Sequence, residues 1–248
     1  MKTFFSITIN TFNHLDWIER CIRSCVTQDY DNFEVIVLDD ISTDGAYEIM
    51  KNLEIEFGDI LTIKQNEKKI YSQVKNILTL TTEAKPNSVV LSVDGDDWLK
   101  DDQVLNKLDN IYNNGDVWMT YGSYEEYPSG LIPHEYHPYP REVIDSNGYR
   151  EHYWVASHLK TYRRELFLKI AEDDLKLENG EWLDVTGDQG FMLPMLEMSA
   201  ERSRFIAEAL YIYNVANPTR DGATRFERQR EVANYIRGKS KYQRLDSI

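Results

Sequence analysis

Asp94, Gly95, Asp96 and Asp97 put three carboxylates within four residues, directly after the apolar run Val89-Val90-Leu91-Ser92-Val93. Like charges this close repel and raise one another's pKa unless a cation or hydrogen-bond donors compensate. A divalent metal suits such hard oxygen ligands, and Mg2+ in particular is usually held by one or two carboxylates plus the phosphates of a substrate. The alternative is an acidic cap on a helix starting near Asp101 or Asp102, although Trp98 and Leu99 separate the tetrad from that start. A further carboxylate, Asp188, stands in Thr186-Gly187-Asp188-Gln189 where a helical pattern begins. At a helix start, backbone N–H groups can hold a carboxylate while one oxygen stays free; the plainer reading is an N-cap.

The elements that must position these groups alternate. Residues 4–9 form an apolar run that stops at Asn10, Thr11, Phe12 and Asn13, and Leu15, Ile18, Cys21, Ile22, Cys25 and Val26 then recur at helical spacing. Residues 33–38 form a second strand ending on Asp39 and Asp40, and Ser42, Thr43, Asp44 and Gly45 turn into a helix through Leu53. A strand over 60–64, a helix over 74–82 and the strand ending at Asp94 complete the repeat. Continuous apolar strands in βα units predict a mostly parallel central sheet with helices on both faces, an α/β fold with right-handed crossovers. Ligands bind beyond the carboxyl ends of such strands, so the three polar strand ends should converge on one crevice. G-x-G-x-x-G after the first strand and G-x-x-x-x-G-K-S/T are both missing, so a bound diphosphate would need a metal in place of a glycine-rich cradle.

Bulk properties narrow the classes. The chain of 248 residues carries 28 basic and 42 acidic side chains, a formal charge of -14. That balance argues against nonspecific binding to nucleic acid or to anionic membrane. No apolar run approaches the roughly 18 residues of a membrane span, and Met-Lys-Thr-Phe-Phe leads into a strand pattern without a signal-peptide core, so the expectation is cytoplasmic. Cys21 and Cys25 share a helix face with Ile18 and Ile22 and read as small buried hydrophobes; a zinc site would find only His14 nearby.

Ser6-Ile7-Thr8-Ile9-Asn10-Thr11-Phe12-Asn13, Val37-Leu38-Asp39-Asp40-Ile41-Ser42-Thr43-Asp44-Gly45 and Leu91-Ser92-Val93-Asp94-Gly95-Asp96-Asp97-Trp98-Leu99 follow one another in the order of the signatures of family 2 glycosyltransferases. The chain resembles that family through its first half, which implies a GT-A fold of Rossmann-like type. The resemblance implies an inverting transfer of a sugar from a nucleotide-diphosphate donor, UDP-sugar favoured, to a hydroxyl of a glycan or other acceptor, with Mn2+ or Mg2+. It places Thr11, Phe12, Asn13, Asp39 and Asp40 at the nucleotide, Asp94 and Asp96 on the D-x-D positions that hold ribose and metal, and Asp97 beside them on the donor. Asp96 is the expected principal metal ligand, with Asp94 as the second. Lys68, Lys69 and Lys75 fall in the stretch that often contacts the diphosphate, and Lys75 is taken as the donor contact. Asp188 matches the catalytic aspartate of the Glu-Asp motif. The chain departs from the family at Asn10, usually proline, at Phe12, usually tyrosine, and at Gly187, which replaces the glutamate. The glycine often found ahead of the helix at Val74 is missing too.

One domain is expected: a nucleotide-binding half over 1–100, an acceptor-binding half over 101–224 and a basic helical tail over 225–248. A helix with Val104, Leu105, Leu108 and Ile111 and a strand over 117–121 follow the tetrad. Residues 124–153, rich in Pro, Tyr, His and Gly, read as a long loop or lid whose tyrosines, with Trp154, either stack on sugar rings or pack on the core. The segment 154–164 resembles one that returns to the sheet under the acceptor site, where His158 and Trp154 are candidate acceptor or phosphate contacts. A structural role for His158 is the plainer reading. Arg163 and Arg164 pair with phosphate or with the acidic surface, and a helix follows over 166–170. A closing strand is expected over 205–213 and a loop completing the site over 214–222. The tail is a cover over the diphosphate, an oligomer contact or, most simply, a solvated helix. Two rival functions are a noncatalytic sugar-nucleotide or carbohydrate binding module and a nucleotidyltransferase on a related sheet, though the latter's glycine- and lysine-rich loop is missing.

Overall fold

The computed structural model describes residues 2–218 and 225–248. It opens with β1 (Phe5–Thr11), α1 (Ile18–Val26), β2 (Phe33–Asp39), α2 (Ala46–Phe57), β3 (Leu61–Gln65), α3 (Gln73–Glu83) and β4 (Val89–Asp94). β1, β2 and β4 are buried almost throughout, as parallel strands covered on both faces require. There follow β5 (Trp98–Leu99), α4 (Val104–Asn113), β6 (Met119–Gly122), β7 (Glu125–Tyr127), α5 (Arg141–Asp145), β8 (Ser157–Arg163) and α6 (Arg164–Phe167). The chain closes with α7 (Gly187–Ser199), β9 (Ser203–Ile206), β10 (Tyr211–Asn214) and α8 (Phe226–Gly238).

The central sheet has seven strands in the order β3-β2-β1-β4-β8-β6-β9, and β8 alone runs antiparallel to its neighbours. From β1 the chain builds outward through β2 and β3, then crosses back to lay β4 on the other side of β1. The crossing makes a switch point between β1 and β4, where a crevice opens. There the register sets Asn10 beside Asp94. Alternate residues of β4 feed opposite faces: Val89, Leu91 and Val93 pack with α1, α2 and α4, while Val90 packs with α3, α6 and α7.

A second sheet, β5-β10-β7, forms beside the first. Trp98 pairs with Ile212, so the acidic tetrad is the turn between β4 and β5. It does not cap α4, whose N-cap is Gln103 without a side-chain capping bond; Asp101 Oδ1 accepts the Gln103 N–H at 2.9 Å just ahead of the helix. The same small sheet splits the closing strand expected over 205–213, because β9 joins the large sheet and β10 the small one.

Three other expectations change or narrow. The 124–153 segment is no lid: it holds β7 and α5, Tyr139 and Tyr149 are buried in the core, and none of its residues reaches the crevice. Arg163 and Arg164 lie away from the crevice and brace backbone carbonyls of Val117, Thr81 and Thr82, and Arg164 also pairs with Glu165 at 3.5 Å, as the acidic-surface reading expected. The helix expected over 166–170 is the short α6.

The tail is not a simple solvated helix, since Val232 and Ile236 of α8 are buried. Buried Arg150 pairs with Glu197 at 2.5 and 3.0 Å and donates to the Ile236 carbonyl at 2.6 Å. The Tyr242 N–H closes on Glu197 at 2.9 Å. Both cysteines are buried and free, as their helix face suggested.

Candidate active site

A crevice of about 780 Å3 opens at the carboxyl ends of β1 and β4. The tetrad forms one wall, the start of α7 another, and α8 a third through Phe226, Gln229, Arg230 and Ala233. Asn10, Phe12, Asn13, Asp94, Asp96, Asp97, Trp154, His158 and Asp188 all line it. The structure therefore gathers residues from both ends of the chain into one site.

The tetrad fits its place because Gly95 has no side chain. A Cβ there would fall 2.4 Å from Thr11 Oγ1, and the Gly95 N–H donates to the Asn10 carbonyl at 3.0 Å. Gly95→Ala is expected to lower stability by about 1–3 kcal/mol through overpacking against β1. Thermal unfolding checks this, and an unchanged melting temperature would contradict the close approach.

The carboxylates of the tetrad have distinct partners. Asp94 Oδ1 accepts from Gln73 Nε2 at 2.5 Å; burial raises its pKa to about 6, Lys160 opposes the rise and Asp96 adds to it. Asp96 Oδ2 accepts from Asn217 Nδ2 at 2.6 Å, and Oδ1 stands 4.0 Å from His14 Nε2. Asp97 Oδ1 accepts the Asn214 N–H at 2.7 Å, which ties β10 to the tetrad. Its Oδ2 is buried without a hydrogen-bond partner, and burial with the Asp96 and Asp94 charges pushes its pKa well up. Carboxylates whose charges raise the pKa of Asp94 and of Asp97, with Asp97 Oδ2 buried and unpartnered, suit a hard cation. Among the described residues no three acidic, His or Cys side chains form a protein-only metal cage. A metal here would take one or two carboxylates and draw its other ligands from donor phosphates and water, the pattern usual for Mg2+.

The residues expected at the nucleotide divide. Phe12 and Asn13 line the crevice, and Asn13, at φ 55°, stitches the loop after β1 to the loop after β2 by accepting the Thr43 N–H at 2.8 Å. Thr11, Asp39 and Asp40 are buried beneath it. Asp39 accepts from the Ser42 N–H at 3.0 Å, the Ser42 hydroxyl and Gln65 Nε2 at 2.8 Å. Asp40 accepts from Asn66 Nδ2 and the Ile70 N–H, both at 2.8 Å, and from the Tyr71 N–H at 3.2 Å. Both carboxylates thus shape loops around the expected base position. Lys69 lies over the Phe12 ring, where burial lowers its pKa. Lys75 does not reach the crevice: its ammonium lies 4.5 Å from the Trp182 ring centroid. Gln73, at the start of α3, lines the crevice where Lys75 does not.

Asp188 sits in the first turn of α7, its Oδ1 accepting the Gln189 N–H at 2.8 Å and its side chain 32% exposed to the crevice. Thr186 caps this turn in a left-handed conformation, φ 56°, without a side-chain capping bond. A Cβ on Gly187 would lie 3.0 Å from Val74 Cβ, so the glutamate of the usual motif would crowd Val74. Lys160 Nζ stands 3.9 Å from Asp188 Oδ2 and 3.3 Å from His158 Nε2. His158 stacks on Tyr211 at 4.4 Å and 13°; burial, then Lys160, pushes its pKa well down.

Gln73, Lys160, Asn217 and Arg230 line the crevice without a sequence motif to announce them. A lysine within a strand that is otherwise buried was the one available signal. The expected loop over 214–222 contributes Asn217; residues 219–222 lie outside the described residues.

Comparison with known proteins agrees with this architecture. Glycosyltransferase GlyA of Streptococcus pneumoniae serotype 4 is 24% identical over 85% of this chain, which spans only 30% of GlyA. S. aureus TarS in complex with UDP-GlcNAc superposes with a TM-score of 0.66 at 20% identity, covering 86% of this chain and 58% of that one. The mannosyltransferase PcManGT of Pyrobaculum calidifontis, in complex with GDP-Man and Mn2+, gives 0.65 at 18% identity, covering 98% of this chain and 66% of that one. These likenesses establish a GT-A fold. Residues 6–171 match the sequence profile described as "Glycosyl transferase family 2", and the chain belongs to that family.

Proposed function

We propose that the chain moves a sugar from a nucleotide-diphosphate donor, a UDP-sugar by preference, to an acceptor hydroxyl, with inversion at the anomeric carbon and with Mn2+ or Mg2+ bound. The observation that carries this is the meeting of Asp94 and Asp96 with Asp188 in one crevice at the switch point between β1 and β4. The complexes of TarS with UDP-GlcNAc and of PcManGT with GDP-Man and Mn2+ support a nucleotide-sugar donor and a divalent metal.

In this reading Asp96, with Asp94, holds the metal, and Phe12 and Asn13 border the nucleotide, with Thr11, Asp39 and Asp40 supporting their loops from below. Asp97 fastens β10 and supports the donor side. Residues 1–100 supply the donor half, 101–224 most of the acceptor half, and 225–248 close the crevice through α8. The bound metal would supply Lewis-acid compensation for charge on the departing diphosphate. Asp188 takes the acceptor O–H proton as that oxygen forms its bond to the anomeric carbon. The bond from that carbon to the phosphate oxygen breaks, and its electron pair leaves on the nucleoside diphosphate. Trp154 and His158 flank the acceptor side, where the Trp154 ring offers a face to a sugar. Among the described residues no helix is long and apolar enough to cross a membrane.

A panel of nucleotide sugars tests the reading. With Mn2+ present, one UDP-sugar is expected to raise the melting temperature and to be slowly hydrolysed on prolonged incubation. Stabilisation by none of the panel, with and without metal, would remove the donor assignment.

A further inference from the structure

Lys160 is a buried cation within a crevice lined by four carboxylates, its side chain only 8% exposed. Antiparallel β8 sets it opposite Ser92, two residues before Asp94, so it enters the site from beneath the tetrad. Burying an ammonium is costly unless its protons and its charge are both answered. Here one proton goes to His158 Nε2 at 3.3 Å, and Asp188 Oδ2 lies 3.9 Å away. His158 is a firm anchor: it is buried, it stacks flat on Tyr211, and it meets the Tyr124 and Tyr213 rings. A neutral imidazole that accepts at Nε2 carries its own proton at Nδ1, so the Lys160 to His158 bond has one sense only. With that proton fixed, the rest of the ammonium faces the carboxylates.

The Asp188 carboxylate is then hydrogen-bonded at one oxygen and faces a fixed charge at the other. The Gln189 N–H takes Oδ1, and the Lys160 charge stands beside Oδ2. A base that is to meet a hydroxyl in one direction benefits from such a hold, because reach and alignment come before any other requirement.

We propose that Lys160, anchored by His158, is a positioning residue that orients the Asp188 carboxylate toward the acceptor hydroxyl. The proposal rests on the assignment of Asp188 as the base. It gives His158 a supporting role through Lys160 in place of a direct contact with acceptor or phosphate.

The test compares the wild type with Lys160→Met and Lys160→Arg, each alone and in an Asp188→Asn background. Turnover is measured with the UDP-sugar identified by the panel, and binding with UDP and Mn2+ by calorimetry. Lys160→Met is expected to lower kcat by about 10- to 100-fold, the range for loss of a group that orients a reacting side chain, while the Kd for UDP changes less than about threefold. Lys160→Arg should recover most of the rate, and Lys160→Met should add little to the loss caused by Asp188→Asn. A kcat that does not fall overturns the proposal. So does a Kd for UDP that rises in step with the loss, which would make Lys160 a phosphate contact. An equal loss in the Asp188→Asn background overturns it as well. If Lys160→Met does not fold, Lys160→Gln carries the same comparison. Full activity of Asp188→Asn would sink the base assignment itself, whereas an inactive Asp188→Asn beside a fully active Lys160→Met would sink only the role of Lys160.

Discussion

Asp188→Asn is expected to reduce sugar transfer by about 10²- to 10⁴-fold, the usual worth of a positioned general base, while donor affinity stays close to that of the wild type. The asparagine keeps the shape of the side chain and can keep the hydrogen bond from the Gln189 N–H, but it cannot accept the acceptor proton. The Asp188 side chain is partly exposed to the crevice, and its hydrogen bond from the Gln189 N–H is one the amide can keep. Loss of rate should therefore come without loss of fold. Initial rates with saturating donor, set beside calorimetric binding of UDP, separate the two effects. Turnover near the wild-type level would take Asp188 out of the mechanism.

Asp96→Asn is expected to remove the metal dependence of donor binding. Asp96 is fixed by Asn217 on one oxygen and faces His14 with the other, and the turn that carries it is held by Gly95 and Asn214. Amide for carboxylate removes one negative charge from a site whose metal would have few protein ligands to spare. The Kd for UDP measured with Mn2+ should rise about 10-fold or more, the scale on which metal sites lose affinity when a ligand environment is altered, and should approach the value measured with chelator. A variant that still binds UDP more tightly with Mn2+ than with chelator would move the metal off Asp96.

Much of the amino-terminal half is readable from residue order alone. Continuous apolar runs at β1, β2 and β4, each ending on polar residues, are enough to predict a parallel sheet and a crevice beyond its ends. The meeting of Asp94 with Asn10 follows from that topology. Other parts depend on contacts that no local pattern encodes. β5, β7 and β10 are two to four residues long, too short for a period to show, and their pairing turned the tetrad into a turn. Asp39 and Asp40 carry the expected motif, yet Ser42, Gln65, Asn66 and the 66–71 loop decide where their oxygens go. The tail reads as solvated because its charges dominate its composition; what docks α8 is the burial of Val232 and Ile236 and the bond from Arg150, all through residues distant in sequence.

The bond between Asp97 and the Asn214 N–H joins residues 117 apart, and the Asp94 N–H reaches the Tyr211 hydroxyl across the same separation. Closing so long a loop costs conformational entropy, more than the shorter loop that pairs Phe5 of β1 with Phe33 of β2. The acidic turn therefore takes this shape only with β10 in place. A chain emerging from the ribosome thus carries Asp94, Asp96 and Asp97 long before it carries the strand that fixes their turn.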